Sequence, residues 1–216
     1  MVNKTKIKSA FTLAEVLITL VIIGIVAALT IPTAINKMKN ANYKALYKKA
    51  FADINNVFRE DITLGQLPPR NNSCFDVNFA QYTYKKMKEK MNVVKSCENN
   101  NGFDCWLEAD TIVASGIAFP QNNCKAFVDA NGRVWAELQP NRSIYLVDTN
   151  GDKKPNQFGK DRWWFSFSNY DTGSTNDCTI DQSKPVRILP YSFGDVGSVL
   201  NWCHYPPCYY KKWLIE

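Results

Sequence analysis

Residues 11–35 read FTLAEVLITLVIIGIVAALTIPTAI, with one charge, Glu15, and none over the twenty residues that follow it. A helix rises about 1.5 Å per residue, so twenty residues cover the ~30 Å hydrocarbon core of a bilayer. No other stretch of the 216 residues is comparable, and the sequence predicts one membrane helix. Two ordinary readings compete. A secretory signal peptide would be cut near Val26-Ala27-Ala28, but the apolar run is long for one. A plain signal anchor explains the length. Neither uses Glu15, and an ionisable group at membrane depth is costly enough to point to a function with a partner.

Upstream, MVNKTKIKSA carries Lys4, Lys6 and Lys8 and no acid. This basic leader, followed by a small residue, a Phe, a Glu four residues later and an apolar helix with a late Pro, resembles the N-terminus of type IV prepilins and type II secretion pseudopilins. Ala10, Phe11, Thr12, Glu15 and Pro32 fall on the positions that carry the resemblance. The family more often has Gly where this chain has Ala10, and Ala is also small. The resemblance implies cleavage after Ala10 by a prepilin peptidase, N-methylation of Phe11 and retention of the apolar helix. The helix would anchor the subunit in the bacterial inner membrane as a single pass. Later it would pack with other pilin or pseudopilin subunits in a filament. Glu15 would then serve assembly by pairing with the N-terminal amine of a neighbouring Phe11, because an unpaired buried charge is expensive.

Charge placement argues partly the other way. Lys37, Lys39, Lys44, Lys48 and Lys49 follow the apolar run, and the positive-inside rule would keep them cytoplasmic. The N-terminal motif and the cysteines both favour an exported C-terminal part.

Beyond Pro32 the pattern stays helical. Tyr43, Leu46, Tyr47, Ala50, Phe51, Ile54, Val57 and Phe58 recur at spacings of three and four, giving one apolar stripe. Gly65 and Pro68-Pro69 stop it. The expected segments are a leader over 1–10, a membrane and assembly helix over 11–35, an amphipathic stem over 36–64 and an exported domain over 65–216. Pro32 is expected to kink the helix without breaking it.

All seven cysteines lie in the last segment, and in an exported domain disulfides are the default. Cys97–Cys105 and Cys203–Cys208 are the favoured short-loop pairs, and the odd count leaves at least one thiol over or paired between chains. Cys203, His204 and Cys208 form only a weak metal motif, since structural zinc needs four ligands at paired spacing. A second helix is expected over 78–94, and strands over 111–115, 126–128, 133–137, 143–147 and 162–166. Asp129-Ala130-Asn131-Gly132 is a hairpin turn. The fold class is therefore α+β, a long N-terminal helix on an antiparallel sheet, which is the pilin architecture that the resemblance implies.

The stretch DTNGDKKPNQFGKD, residues 148–161, places Asp148, Asn150 and Asp152 at alternate positions, with Asn156 and Asp161 further on to add oxygens. Alternating oxygen side chains can wrap a hard cation such as calcium. The spacing is not that of an EF-hand, and an Asn150-Gly151 turn between strands explains it equally well. The C-terminal NWCHYPPCYYKKWLIE combines aromatics with Lys211 and Lys212, a pattern that can stack on single-stranded nucleic acid, though a disulfide-pinned tail is the commoner meaning.

The net charge of +6 does not suggest a dedicated nucleic-acid binder, because half of it lies in the leader and such a binder needs a concentrated basic face. One histidine, no internal repeat, no phosphate-binding glycine loop and no Ser/His/Asp set argue against an enzyme. The expected function is a filament subunit of a type II secretion pseudopilus or a type IV pilus. The alternatives are a minor pilin that binds DNA or a surface, and a secreted disulfide-rich enzyme with a conventional signal peptide.

Overall fold

The computed structural model describes residues 11–69, 76–98, 104–106, 124–137, 144–157, 160–168, 186–190 and 214. The chain divides into two compact units, residues 1–42 and 43–216. In the first, helix α1, Leu13–Leu64, begins and runs through Pro32 without interruption. Its apolar side chains are bare, from Leu17 at 54% exposure to Leu29 at 72%. It is long and apolar enough to cross a membrane, and the hydroxyls of Thr19, Thr30 and Thr33 are satisfied by carbonyls of the preceding turn. A helix that buries no face among the described residues has its apolar surface left for lipid or for other helices.

The second unit contains the rest of α1, whose stripe of Tyr47, Ala50, Ile54 and Phe58 is fully buried. Helix α2, Val77–Lys90, starts at Asp76, whose side chain accepts the Phe79 N–H at 3.0 Å, satisfying one of the orphan donors of the first turn. Six strands follow: β1 Val93–Cys97, β2 Ala126–Asp129, β3 Val134–Glu137, β4 Ile144–Asp148, β5 Arg162–Ser168 and β6 Arg187–Pro190. They pair in chain order as an antiparallel meander.

Side chains alternate across the sheet. Trp135, Tyr145, Val147, Trp163, Phe165 and Phe167 join the core formed with α1 and α2. Val134, Ala136, Ile144, Leu146 and Trp164 face the opposite way, into a second cluster with Cys97, Cys105 and Trp106. With both faces covered, the central strands lose the polar alternation of a solvent-facing sheet. Aromatic contacts dominate the helix side: Tyr47 stacks on Trp163 at 4.1 Å between ring centroids, and Phe58 meets Phe167 edge-on at 4.8 Å.

The sequence expectation of a helix over 78–94 ran too long. Asn92 adopts φ 50°, a left-handed conformation that Asn tolerates and that ends the helix. Val93 then enters β1, whose register runs from Val93 opposite Asp129 to Cys97 opposite Ala126. Strands β1 and β6 were not expected from sequence. The strand expected over 111–115 lies outside the described residues. Cys97 and Cys105 form a disulfide with a Cα–Cα distance of 5.9 Å, while Cys203, His204 and Cys208 lie outside the described residues.

Candidate functional site

The first candidate is the start of α1. Thr12 occupies the N-cap: its carbonyl accepts the Val16 N–H at 3.2 Å and its hydroxyl accepts the Glu15 N–H at 3.3 Å. Glu15 reaches back, its Oε2 accepting both the Thr12 N–H and the Thr12 hydroxyl at 2.8 Å. This is a reciprocal capping box, in which the residue three positions into the helix satisfies the backbone of the cap. The carboxylate also sits at the positive end of the helix dipole. Thr12-Leu13-Ala14-Glu15 spells that motif in the sequence, and a reading of Glu15 as a purely intermolecular group overlooks it. Phe11 stands free at 87% exposure. Ala10 lies outside the described residues.

The second candidate is the end of the sheet where β2 meets β3 and β4 meets β5. Two turns there share a design. Val128-Asp129-Ala130-Asn131-Gly132 and Val147-Asp148-Thr149-Asn150-Gly151 are parallel in sequence, a similarity of five residues that is too short to register as an internal repeat. In each, the strand-final Asp takes a guanidinium from the start of the next strand, Arg133 just before β3 and Arg162 at the first position of β5. Asp129 Oδ2 accepts from Arg133 Nε at 2.7 Å and from Trp135 Nε1 at 3.0 Å, while Arg133 Nη2 also reaches Asp53 of α1 at 2.8 Å. Asp148 Oδ2 accepts from Arg162 Nε at 2.8 Å, and the Arg162 guanidinium lies 4.4 Å from the centre of the Trp106 ring.

The 148–161 loop is closed at its base by Thr149, whose N–H and hydroxyl both donate to the Asp161 carbonyl, at 2.8 and 2.9 Å. Asp161 is fully buried and organises the interior of the loop. Its Oδ2 accepts from the Asn156 N–H at 2.8 Å and from Asn150 Nδ2 at 3.0 Å, and its Oδ1 accepts from the Gln157 N–H at 2.7 Å. Burial raises the pKa of Asp161 from its ordinary value, against those N–H donors. Burial likewise pushes Asp148 up to about 6, with Arg162 opposing it.

Of the four residues expected to hold a cation, the structure brings Asp148, Asn150 and Asp161 together and leaves Asp152 exposed. Asp148 is engaged by Arg162, which sits directly opposite it across β4 and β5. Among the described residues, no three His, Cys, Asp or Glu side chains gather as metal ligands would. Asn156, expected with Asp161 to add an oxygen, is 5% exposed, and its side-chain oxygen accepts no hydrogen bond among the described residues.

Residues 5–31 match the family model of the prokaryotic N-terminal methylation motif. This is the prepilin-type cleavage and methylation sequence. The match covers the second part of the leader, the capping box and most of the exposed apolar helix. It implies, in general terms, processing by a prepilin peptidase and association with other pilins. The motif and the bare helix fit a membrane-anchored, pilin-like subunit. No curated protein and no solved structure matches the chain.

Proposed function

We propose that this chain is a filament subunit of a type II secretion pseudopilus or a type IV pilus, acting by polymerisation and not by catalysis. A prepilin peptidase cuts after Ala10 and methylates the new amine of Phe11. The apolar half of α1 holds the subunit in the inner membrane, with the sheet domain exported, until assembly draws the helix into a bundle with its neighbours.

The observation that carries this reading is the pairing of the methylation motif with a helix whose apolar side chains, among the described residues, stand exposed. In the single subunit the Glu15 carboxylate is occupied by Thr12 of its own chain. Assembly then exchanges a local partner for the charged amine of a neighbouring Phe11, a stronger, charge-assisted contact once solvent is excluded. A misaligned neighbour would leave the carboxylate buried without a cation, so the exchange favours one axial register.

The test is the native N-terminus together with one substitution. Mass spectrometry should find a chain that begins at Phe11 with a methylated amine. Glu15→Ala should remain folded and membrane-inserted but fail to enter filaments. A mature chain starting near Leu29, or normal incorporation of Glu15→Ala, would refute the reading.

A further inference from the structure

The filament reading gives no role to the five lysines that follow the apolar run. Lys37 and Lys39 stand apart from the others. Both belong to the first compact unit, on the bare part of α1. Both are exposed, and among the described residues neither makes a hydrogen bond or an ion pair. Lys49, by contrast, donates to Asn131 at 3.2 Å. No acid lies between Glu15 and Asp53, so the two ammonium groups have no counter-charge along their own stretch of helix. Met38, between them, is 72% exposed.

Their position fits the edge of a bilayer. Twenty-two residues separate Glu15 from Lys37, which is about 33 Å of helix. The hydrocarbon core is ~30 Å thick. With Glu15 at one headgroup level, Lys37 therefore reaches the other, and Lys39 lies about 3 Å further out. A lysine carries its ammonium on a flexible four-carbon stem and extends it to the headgroups. Side chains two residues apart leave a helix about 200° from one another, so the pair takes headgroups from both sides of α1.

We propose that Lys37 and Lys39 bind the phosphate groups of anionic phospholipids in the leaflet on the exported side, holding the unassembled subunit at a fixed depth. Export sets these lysines against the positive-inside rule, and an anionic headgroup supplies the counter-charge that the helix lacks. Ammonium–phosphate contacts are charge-assisted hydrogen bonds, and each lysine at an anionic surface contributes roughly a fivefold preference. A carboxylate on the helix of a second copy is a poorer partner. The first acid past Lys39 is Asp53, fourteen residues on, far beyond the four-residue shift that sets Glu15 beside a neighbouring Phe11. The inference rests on α1 as a membrane helix, which is part of the filament reading.

The experiment uses the full chain in phosphatidylcholine vesicles with a trace of spin-labelled phosphatidylglycerol or spin-labelled phosphatidylcholine. Electron paramagnetic resonance reports how much of each labelled lipid is held at the protein. The parent chain should prefer phosphatidylglycerol, and salt at about 1 M should weaken that preference. The double variant Lys37→Gln/Lys39→Gln should cut it severalfold, while Lys37→Arg/Lys39→Arg should keep it. Lys4, Lys6 and Lys8 of the leader contribute equally to all three chains, so the difference belongs to the two positions. A carbonate wash, which strips protein not embedded in the bilayer, separates this inference from the one beneath it. Release of the parent chain would refute the membrane helix and the lipid contact together. An embedded parent whose preference is unchanged in the Gln variant would overturn the lipid contact alone and leave the lysines for other subunits. Loss of the preference in the Arg variant would also overturn it, since the charge is retained there.

Discussion

Gly151 and Gly132 offer a matched pair of perturbations, because both have positive φ, 67° and 77°, and differ only in their surroundings. A Cβ built on Gly132 meets nothing within 4 Å, while one on Gly151 would stand 2.5 Å from the Gly132 carbonyl oxygen. For Gly132→Ala, the left-handed conformation costs about 1–2 kcal/mol. Reduced freedom of the unfolded chain returns about 0.4–1 kcal/mol of that. The net loss is then roughly 1 kcal/mol. Gly151→Ala carries the same cost and also a clash with backbone, which has no rotamer to turn aside. Overpacking of this kind adds about 1–3 kcal/mol, for a total of roughly 2–4 kcal/mol. At 2–4 °C per kcal/mol for a chain of this size, Tm should fall about 2–4 °C for Gly132→Ala and about 5–15 °C for Gly151→Ala. The assay is thermal unfolding of the full chain in detergent, with both variants measured side by side. Equal losses would mean that the two turns do not press on each other, and the account of the sheet end would be wrong.

Three further substitutions test the burial pattern. Glu137 is buried, its Oε2 accepts the Lys125 N–H at 3.1 Å, and burial pushes its pKa up to about 7 from an ordinary 4.5. Between those values the folded chain keeps a proton that the unfolded chain has released, so the stability it contributes falls as pH rises from about 4.5 to about 7, by up to roughly 3 kcal/mol. Glu137→Gln should therefore stabilise the protein at pH 8 and change little at pH 4 in parallel urea titrations; an effect that does not vary with pH would sink this assignment. Phe58→Ala removes a fully buried ring in contact with Phe167 and should cost about 3–5 kcal/mol, whereas Ile22→Ala, on the bare part of α1, should leave the unfolding of the sheet domain unchanged.

Much of the architecture was legible because its signals are local. Twenty uncharged residues after Glu15 specify a membrane-length helix without reference to anything else. The stripe from Tyr43 to Phe58 gives the buried face of α1, since side chains three and four apart share a side of a helix. Asn131-Gly132 marks its turn by backbone conformation alone. Even the capping box is written in Thr12 and Glu15, although the charge of Glu15 draws attention to a distant partner first.

Tertiary structure decided what local pattern could not. Met91 and Val94 continue the helical spacing of α2, yet the chain leaves the helix at Asn92, where its carbonyl accepts the Ala130 N–H at 3.0 Å and pairing with β2 outweighs periodicity. Asp148, Asn150 and Asp152 alternate in sequence as if aimed at one point, but only the first two turn inward. Asp148 is claimed by Arg162, fourteen residues on, and Asp161 by the backbone of 156 and 157. Periodicity reports which face of an element is apolar. Which donor satisfies a buried carboxylate depends on which strands lie side by side, and that is fixed only when the sheet closes over α1.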